Sequence, residues 1–235
     1  MDLSQIREFV LSDANSLVDA GVDGLILENF GDVPFYPGRV PPHTIAFLTR
    51  LATEVRSRFE VPLGINVLRN DGAAALAVAA AAGAEFIRVN VYTGARLADQ
   101  GILEGQAHEI ARYRKSIAPE VRIWADVAVK HSAALGERDL ADEVEDTVER
   151  GLADAIIVSG AATGKPTSPH DVQAAKVAAG DAPVYIGSGA TESNVRDLLA
   201  IAAGVIIGSA LKHEGVVSAP VDAARVRTFV AAARR

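Results

Sequence analysis

The chain has 235 residues, a net charge of −7 and 49% hydrophobic residues, and it contains no cysteine. Disulfides and thiolate catalysis are therefore excluded, and dispersed acidic residues without a basic face argue against a nucleic-acid partner. No apolar run approaches the ~18 residues of a membrane helix, and the start MDLSQIRE carries no apolar signal segment, so the expectation is a cytoplasmic protein without direct membrane insertion.

Residues 1–20 place Ile6, Phe9, Val10, Leu17 and Val18 at helical spacing, which predicts an opening helix. A first strand follows at 24–29 (GLILEN), then 62–68 (PLGINVL), 86–91 (FIRVNV), 122–130 (RIWADVAVK), 155–160 (AIIVSG), 184–189 (VYIGSG) and 204–209 (GVIIGS). These are continuous apolar runs that end in polar clusters, the pattern of parallel strands covered on both faces. Between them, Asp71 is placed to cap an alanine-rich helix over 73–82. Gly21, Gly83 and Gly151 each precede a strand and predict left-handed helix stops. Leu140, Val144 and Val148 give residues 137–149 one apolar stripe among charges, a helix with a wet outer face. No linker or low-complexity tract interrupts the repeat, so one domain is expected.

Alternating strands and helices allow a doubly wound sheet or a barrel. No strand leads into G-x-G-x-x-G with an acidic residue ~20 positions on, and polar ends occur on nearly every strand. The prediction is an α/β, TIM (β/α)8-type phosphate-binding barrel with its active face at the carboxyl ends of the strands. Seven strands are visible rather than eight, and the eighth would precede Met1. A gap between the 24–29 and 204–209 strands is therefore expected, and with it pairing to a second copy as a homo-oligomer.

Two late turns, IGSGAT at 186–191 and IGSALK at 207–212, put Gly187, Ser188, Gly189, Gly208 and Ser209 where barrels often hold a substrate phosphate. Glu28 ends an apolar strand, with Asn29 and Asp32 just beyond. Glu28 and Asp32 suit either acid–base work or a divalent metal, and no organic cofactor is evident. Asn66 should face the barrel interior, and Arg69 and Asn70 sit on the turn into the next helix; with Asn29, Asp32, Arg88 and Asn90 they are the expected substrate-binding set. Arg88 and Asn90 share a strand face, so Arg88 must be ion-paired or lie in a polar mouth. Asp126 and Lys130 share a face beside His131. The lysine can meet a phosphate, act as a desolvated base or form a Schiff base, and His131 can shuttle a proton. His43, His108, His170 and His213 lack such neighbours.

Together these blocks resemble the BtpA/SgcQ family. The matching segments are ILENFGD at 26–32, GINVLRND at 64–71, FIRVNVYTGA at 86–95, DQG at 99–101, ADVAVKH at 125–131, IGSGAT at 186–191 and IIGSALK at 206–212. The family is known as photosystem I or membrane-complex biogenesis proteins. The resemblance implies a phosphate-binding barrel, and many members occur beside genes for sugar or nucleoside use. Members usually open with a strand and an H-L…L-P-G-x-P-type loop, whereas this chain starts at the helix that follows. Two expectations result. One is an isomerase, lyase or aldolase, or hydrolase of a small phosphorylated sugar- or nucleoside-derived molecule, with Glu28, Asp126, Lys130 and His131 as acid–base groups. The other is a non-catalytic assembly factor for a membrane complex.

Overall fold

Strand and helix alternate along the chain as the apolar pattern requires. The structure, a computed structural model, describes residues 2–129, 131–136, 138–159 and 167–234. Asp2 opens helix α1 (Leu3–Asp19) with a capping box, its carboxylate accepting from the Gln5 N–H while the Gln5 side chain accepts from the Asp2 N–H. Then come β1 (Leu25–Glu28), α2 (Pro42–Arg58), β2 (Leu63–Asn66), α3 (Gly72–Ala82) and β3 (Phe86–Val89). A hairpin, β4 (Ala95–Ala98) and β5 (Gly101–Glu104), precedes α4 (Ala107–Ile117). The remainder is β6 (Arg122–Val127), β7 (Ser132–Ala134), α5 (Leu140–Glu145), β8 (Ala155–Val158), α6 (Pro169–Ala178), β9 (Val184–Ile186), α7 (Val195–Ile201), β10 (Gly204–Val205) and α8 (Ala223–Ala233).

Seven strands form one parallel sheet in the order β1-β2-β3-β6-β8-β9-β10. Among the described residues, β1 and β10 pair on one side only, so the gap lies between the two strands expected to flank it. The helical layer nevertheless continues across it. Helix α1, which precedes β1, packs against α8, which follows β10, around Leu17, Val226 and Phe229. Lys212 Nζ donates to Asp13 Oδ2 at 3.0 Å, and the Val221 N–H donates to Asp13 Oδ1 at 2.8 Å.

Alanine explains how closely the inner helix sits. In α3, Ala74, Ala75, Leu76, Val78, Ala79 and Ala82 are all buried, and a methyl on Gly72 would lie 2.5 Å from Ile110 Cδ1 of α4. Asp71 caps this helix through the Ala74 N–H, as expected, and its second oxygen accepts from the Val40 N–H at 2.9 Å.

Several expectations are corrected, and one element is new. The 122–130 strand ends at Val127, and the 204–209 strand is reduced to Gly204–Val205. The 137–149 helix starts at Leu140 and turns π-helical over Asp146–Arg150; residue 137 lies outside the described residues. Gly21 and Gly83 are left-handed (φ 91° and 71°), but Gly151 is not; the left-handed residue there is Leu152 (φ 60°). Position 151 needs glycine for space, since a methyl would lie 2.6 Å from Thr147 O and 2.9 Å from Tyr92 Cε1. Finally, β5, β4 and β7 form a small antiparallel sheet over the loops after β3 and β6, which the sequence reading missed.

Candidate active site at the carboxyl ends of the strands

Strand alternation sends every second side chain inward. A layer of rings crosses the interior: Phe86 stacks on Trp124 with centroids 4.0 Å apart, and Trp124 stacks on Tyr185 at 4.1 Å. Glycines on the neighbouring strands make room. A methyl on Gly64 would strike the Phe86 ring, and one on Gly204 would lie 2.9 Å from Tyr185. Strand β8, between β6 and β9, carries only Ala155 opposite Trp124. This layer is the apolar floor of the site.

Two residues further along the same faces, the chemistry turns ionic. Arg88 donates from Nε to Asp126 Oδ1 and from Nη2 to Asp126 Oδ2, both at 2.9 Å, a bidentate pair. Its Nη1 reaches Glu28 Oε1 at 3.4 Å. Asn90 Nδ2 donates to Asp126 Oδ2 at 3.0 Å, and Asn66 Nδ2 donates to Asn90 Oδ1 at 3.2 Å and to Arg88 O at 3.0 Å. Glu28, Asn66 and Arg88 lie on one rung of three adjacent strands. Five of the expected residues thus meet in one network.

Burial sets the electrostatics. It raises the Glu28 pKa, and the Arg88 charge offsets this only in part while Asp126 adds to it. Burial also opposes the Arg88 charge, but Asp126 and Glu28 outweigh it and hold the guanidinium ionised. The site therefore contains one carboxylate locked to an arginine and one carboxyl with enhanced proton affinity. Arg69 stands at its edge. Burial lowers its pKa, while Asp126 and then Asp99, on the β4–β5 hairpin tip, favour its charge.

Other expected residues have different roles. Asn29 Oδ1 accepts from the Leu68 N–H at 2.7 Å and its Nδ2 donates to Leu68 O at 3.2 Å, so this amide ties the β1 loop to the β2 loop rather than facing a substrate. Asn70 does the same across the next junction, accepting from the Val91 N–H at 2.8 Å and donating to Val91 O at 2.9 Å. Both are buried in place of a backbone partner, so these two amides, expected at a substrate, are committed to neighbouring loops. Asp32 is exposed and accepts from Asn29 Nδ2 at 3.1 Å. His131 is exposed with left-handed backbone (φ 55°). Lys130 lies outside the described residues. Among the described residues, no group of three or more His, Asp or Glu side chains is placed to hold a metal ion.

The two glycine turns lie side by side at the same end of β9 and β10. The Gly187 N–H is not open to an anion, because it donates to Val158 O at 2.9 Å as the last rung of the β8–β9 ladder. Its glycine is a packing requirement: a methyl would lie 2.5 Å from Ser159 Oγ. Ser188 O accepts from Thr167 Oγ1 at 3.0 Å. Gly189 is left-handed (φ 80°), and Asn194 fastens this turn by donating to Gly189 O at 3.0 Å and accepting from the Thr191 N–H at 2.7 Å. Among the described residues, no protein acceptor takes the N–H of Gly189, Gly208 or Ser209. Ser159 went unnoticed in the sequence although it ends AIIVS, the same polar strand ending that singled out Asn66.

Known structures share the fold. An N-(5'-phosphoribosyl)anthranilate isomerase from Pyrococcus furiosus superposes with a TM-score of 0.59 at 15% identity, covering 97% of this chain and 93% of that one. KGPDC from Streptococcus mutans gives 0.62 at 13% identity, covering 97% and 92%. The curved parallel sheet is therefore of the TIM-barrel type. In sequence, the photosystem I biogenesis protein BtpA of Synechocystis is 47% identical over 231 residues, covering 98% of this chain and 80% of that protein. An uncharacterised protein of Thermococcus kodakarensis is 45% identical over 233 residues (99% and 88%), and a mitochondrial uncharacterised protein of Caenorhabditis elegans is 33% identical over 238 residues (98% and 85%). The BtpA family profile matches residues 1–235. This chain belongs to the BtpA family.

Proposed function

We propose that the chain is a cytoplasmic enzyme acting on a small phosphorylated, sugar- or nucleoside-derived molecule by acid–base chemistry. The observation that carries this reading is the Glu28–Arg88–Asp126 cluster with Asn66 and Asn90, drawn from four strands onto one polar patch above an aromatic floor. Clustered ionisable groups with displaced proton affinity in a barrel mouth are what proton transfer requires. Glu28, whose ionisation burial opposes, takes a proton from the substrate and returns it. Asp126, paired with the Arg88 charge and accepting also from Asn90, fixes the orientation of the arginine. Arg69 and Asn90 orient the polar body, and Lys130 and His131 extend the acid–base set. The N–H groups of Gly189, Gly208 and Ser209 hold the phosphate. Isomerase, lyase or aldolase, and hydrolase chemistry all draw on such a proton relay.

The name of the Synechocystis relative favours a second reading, a non-catalytic assembly factor. Exposed Phe30, Val33 and Tyr36 on the loop after β1 are its physical support. The one-sided edges β1 and β10 support pairing of two copies in either case. A thermal-shift screen of phosphorylated sugars and nucleotides, with and without divalent metal, separates the readings. Stabilisation by at least one compound supports the enzyme; none with any compound contradicts it and leaves the assembly role.

A further inference from the structure

Two buried polar atoms in the barrel interior have no hydrogen-bond partner among the described residues: Asn66 Oδ1 and Ser159 Oγ. Asn66 is 1% exposed and Ser159 5% exposed, so neither is satisfied at the surface. Native proteins rarely leave such groups unpaired, and each needs a reason. The Asn66 amide cannot resolve the matter by turning over. Its Nδ2 already serves two acceptors, Arg88 O and Asn90 Oδ1, which fixes Oδ1 as the outward acceptor. Ser159 directly follows β8, in step with inward-facing Ile157. The Cα of Gly187 faces it: a methyl there would lie 2.5 Å from Ser159 Oγ and 3.5 Å from Arg88 Nη2. Ser159 thus stands beside the arginine of the ionic network, and glycine at 187 keeps the space between them open.

We infer that Ser159 and Asn66 are specificity-determining residues that hydrogen-bond the hydroxyl groups of a sugar-like ligand body lying against Arg88. This rests on the reading of the barrel mouth as a small-molecule site and adds to it the class of group recognised. Asn66 Oδ1 accepts, so the ligand brings a donor. Ser159 Oγ both donates and accepts, so its partner is a group that does the same. The hydroxyls of a polyol body meet both demands, whereas a carboxylate or a fully ionised phosphate ester offers no donor. The hydroxyl of Ser159 makes no bond among the described residues, so removing it should leave the unliganded fold intact and weaken ligand binding alone.

The test uses the full chain and its Ser159→Ala variant with ribose 5-phosphate, 2-deoxyribose 5-phosphate, glucose 6-phosphate and inorganic phosphate at equal concentrations. Thermal shift is read together with the fluorescence of Trp124, the chain's one tryptophan. The expected result is that at least one sugar phosphate stabilises the parent chain beyond inorganic phosphate. Ser159→Ala then binds that compound roughly tenfold more weakly, with its response to inorganic phosphate unchanged and its own melting temperature equal or higher. If Ser159→Ala keeps the full affinity, the inference fails while the small-molecule reading stands. A drop of several degrees in its unliganded melting temperature overturns it too, by giving the hydroxyl a structural role. If inorganic phosphate stabilises the chain as well as every sugar phosphate, the inference fails alone. If no phosphate compound binds, both fail.

Discussion

Glu28 ends an apolar strand, and its half-buried carboxyl lies 3.4 Å from a guanidinium nitrogen. Burial raises its pKa above the ordinary 4.5, so the native state holds this proton where the unfolded chain has released it. Stability from this group is therefore present at low pH and lost as pH rises from the ordinary value through the raised one. Glu28→Gln keeps the neutral shape without the titration. Its melting temperature should match the parent below about pH 4 and gain on it as pH rises above the ordinary glutamate range; calorimetry across that range showing a constant difference would refute the assignment. The neighbouring pair behaves differently. Arg88→Met alone leaves Asp126 buried and unpaired, which should cost about 3–5 kcal/mol, whereas Arg88→Met with Asp126→Leu should recover most of that loss. Urea denaturation of the four-member cycle measures it. Arg88 also shows what the sequence could and could not tell. An arginine inside an apolar strand announced a partner or a polar mouth, but only the register of β3 against β2 and β6, with β1 beyond β2, reveals that both are true.

At the scale of elements, the junctions carry the lesson. Asp71 was legible as a cap because aspartate before an alanine run has one common use. Its second bond, to the Val40 N–H, spans 31 positions and left no local trace. Asp71→Ala should lose about 1 kcal/mol of capping and a further 1–3 kcal/mol for the unpaired buried N–H, readable by chemical denaturation. Asn29 and Asn70 sat in polar strand endings that looked like substrate contacts, yet both bond neighbouring loops, because an amide can replace a backbone partner at a strand end. Gly151 was recognised as required, but for the wrong reason. Its φ is −78°, so the turn conformation tolerates alanine, and crowding against Thr147 O and Tyr92 is what forbids it. Gly151→Ala should destabilise by about 1–3 kcal/mol through overpacking. Leu152→Gly should relieve roughly 1–2 kcal/mol of left-handed strain at φ 60°. Equal losses from both would restore the sequence-based view of this turn. The β4–β5 hairpin escaped notice because its strands are four residues each, although Asp99-Gln100-Gly101 carries the turn signal.

For the whole molecule, the repeating apolar runs were enough to specify a curved parallel sheet, and the strand count was enough to place the gap. What the pattern could not convey is how the helical layer bridges that gap. The ties are single residues far apart in sequence, Asp13 to Lys212 and Arg234 to the Gly21 carbonyl. The sheet remains one-sided at β1 and β10, so amide hydrogen exchange in Leu25–Glu28 and Gly204–Val205 should be much faster than in β3 and β6 at the sheet centre. Equal protection would indicate that a second copy covers both edges. The proposed chemistry lies at the carboxyl ends of the strands, where the ionic network and the two glycine turns share one face. Backbone amide NMR of the full chain during titration with inorganic phosphate tests this directly, since it reports on every described strand end at once. The largest shifts should fall on Gly189, Gly208 and Ser209, with smaller ones at Asn90 and Arg69. Shifts confined to other loops, or to the opposite end of the sheet, would contradict that placement.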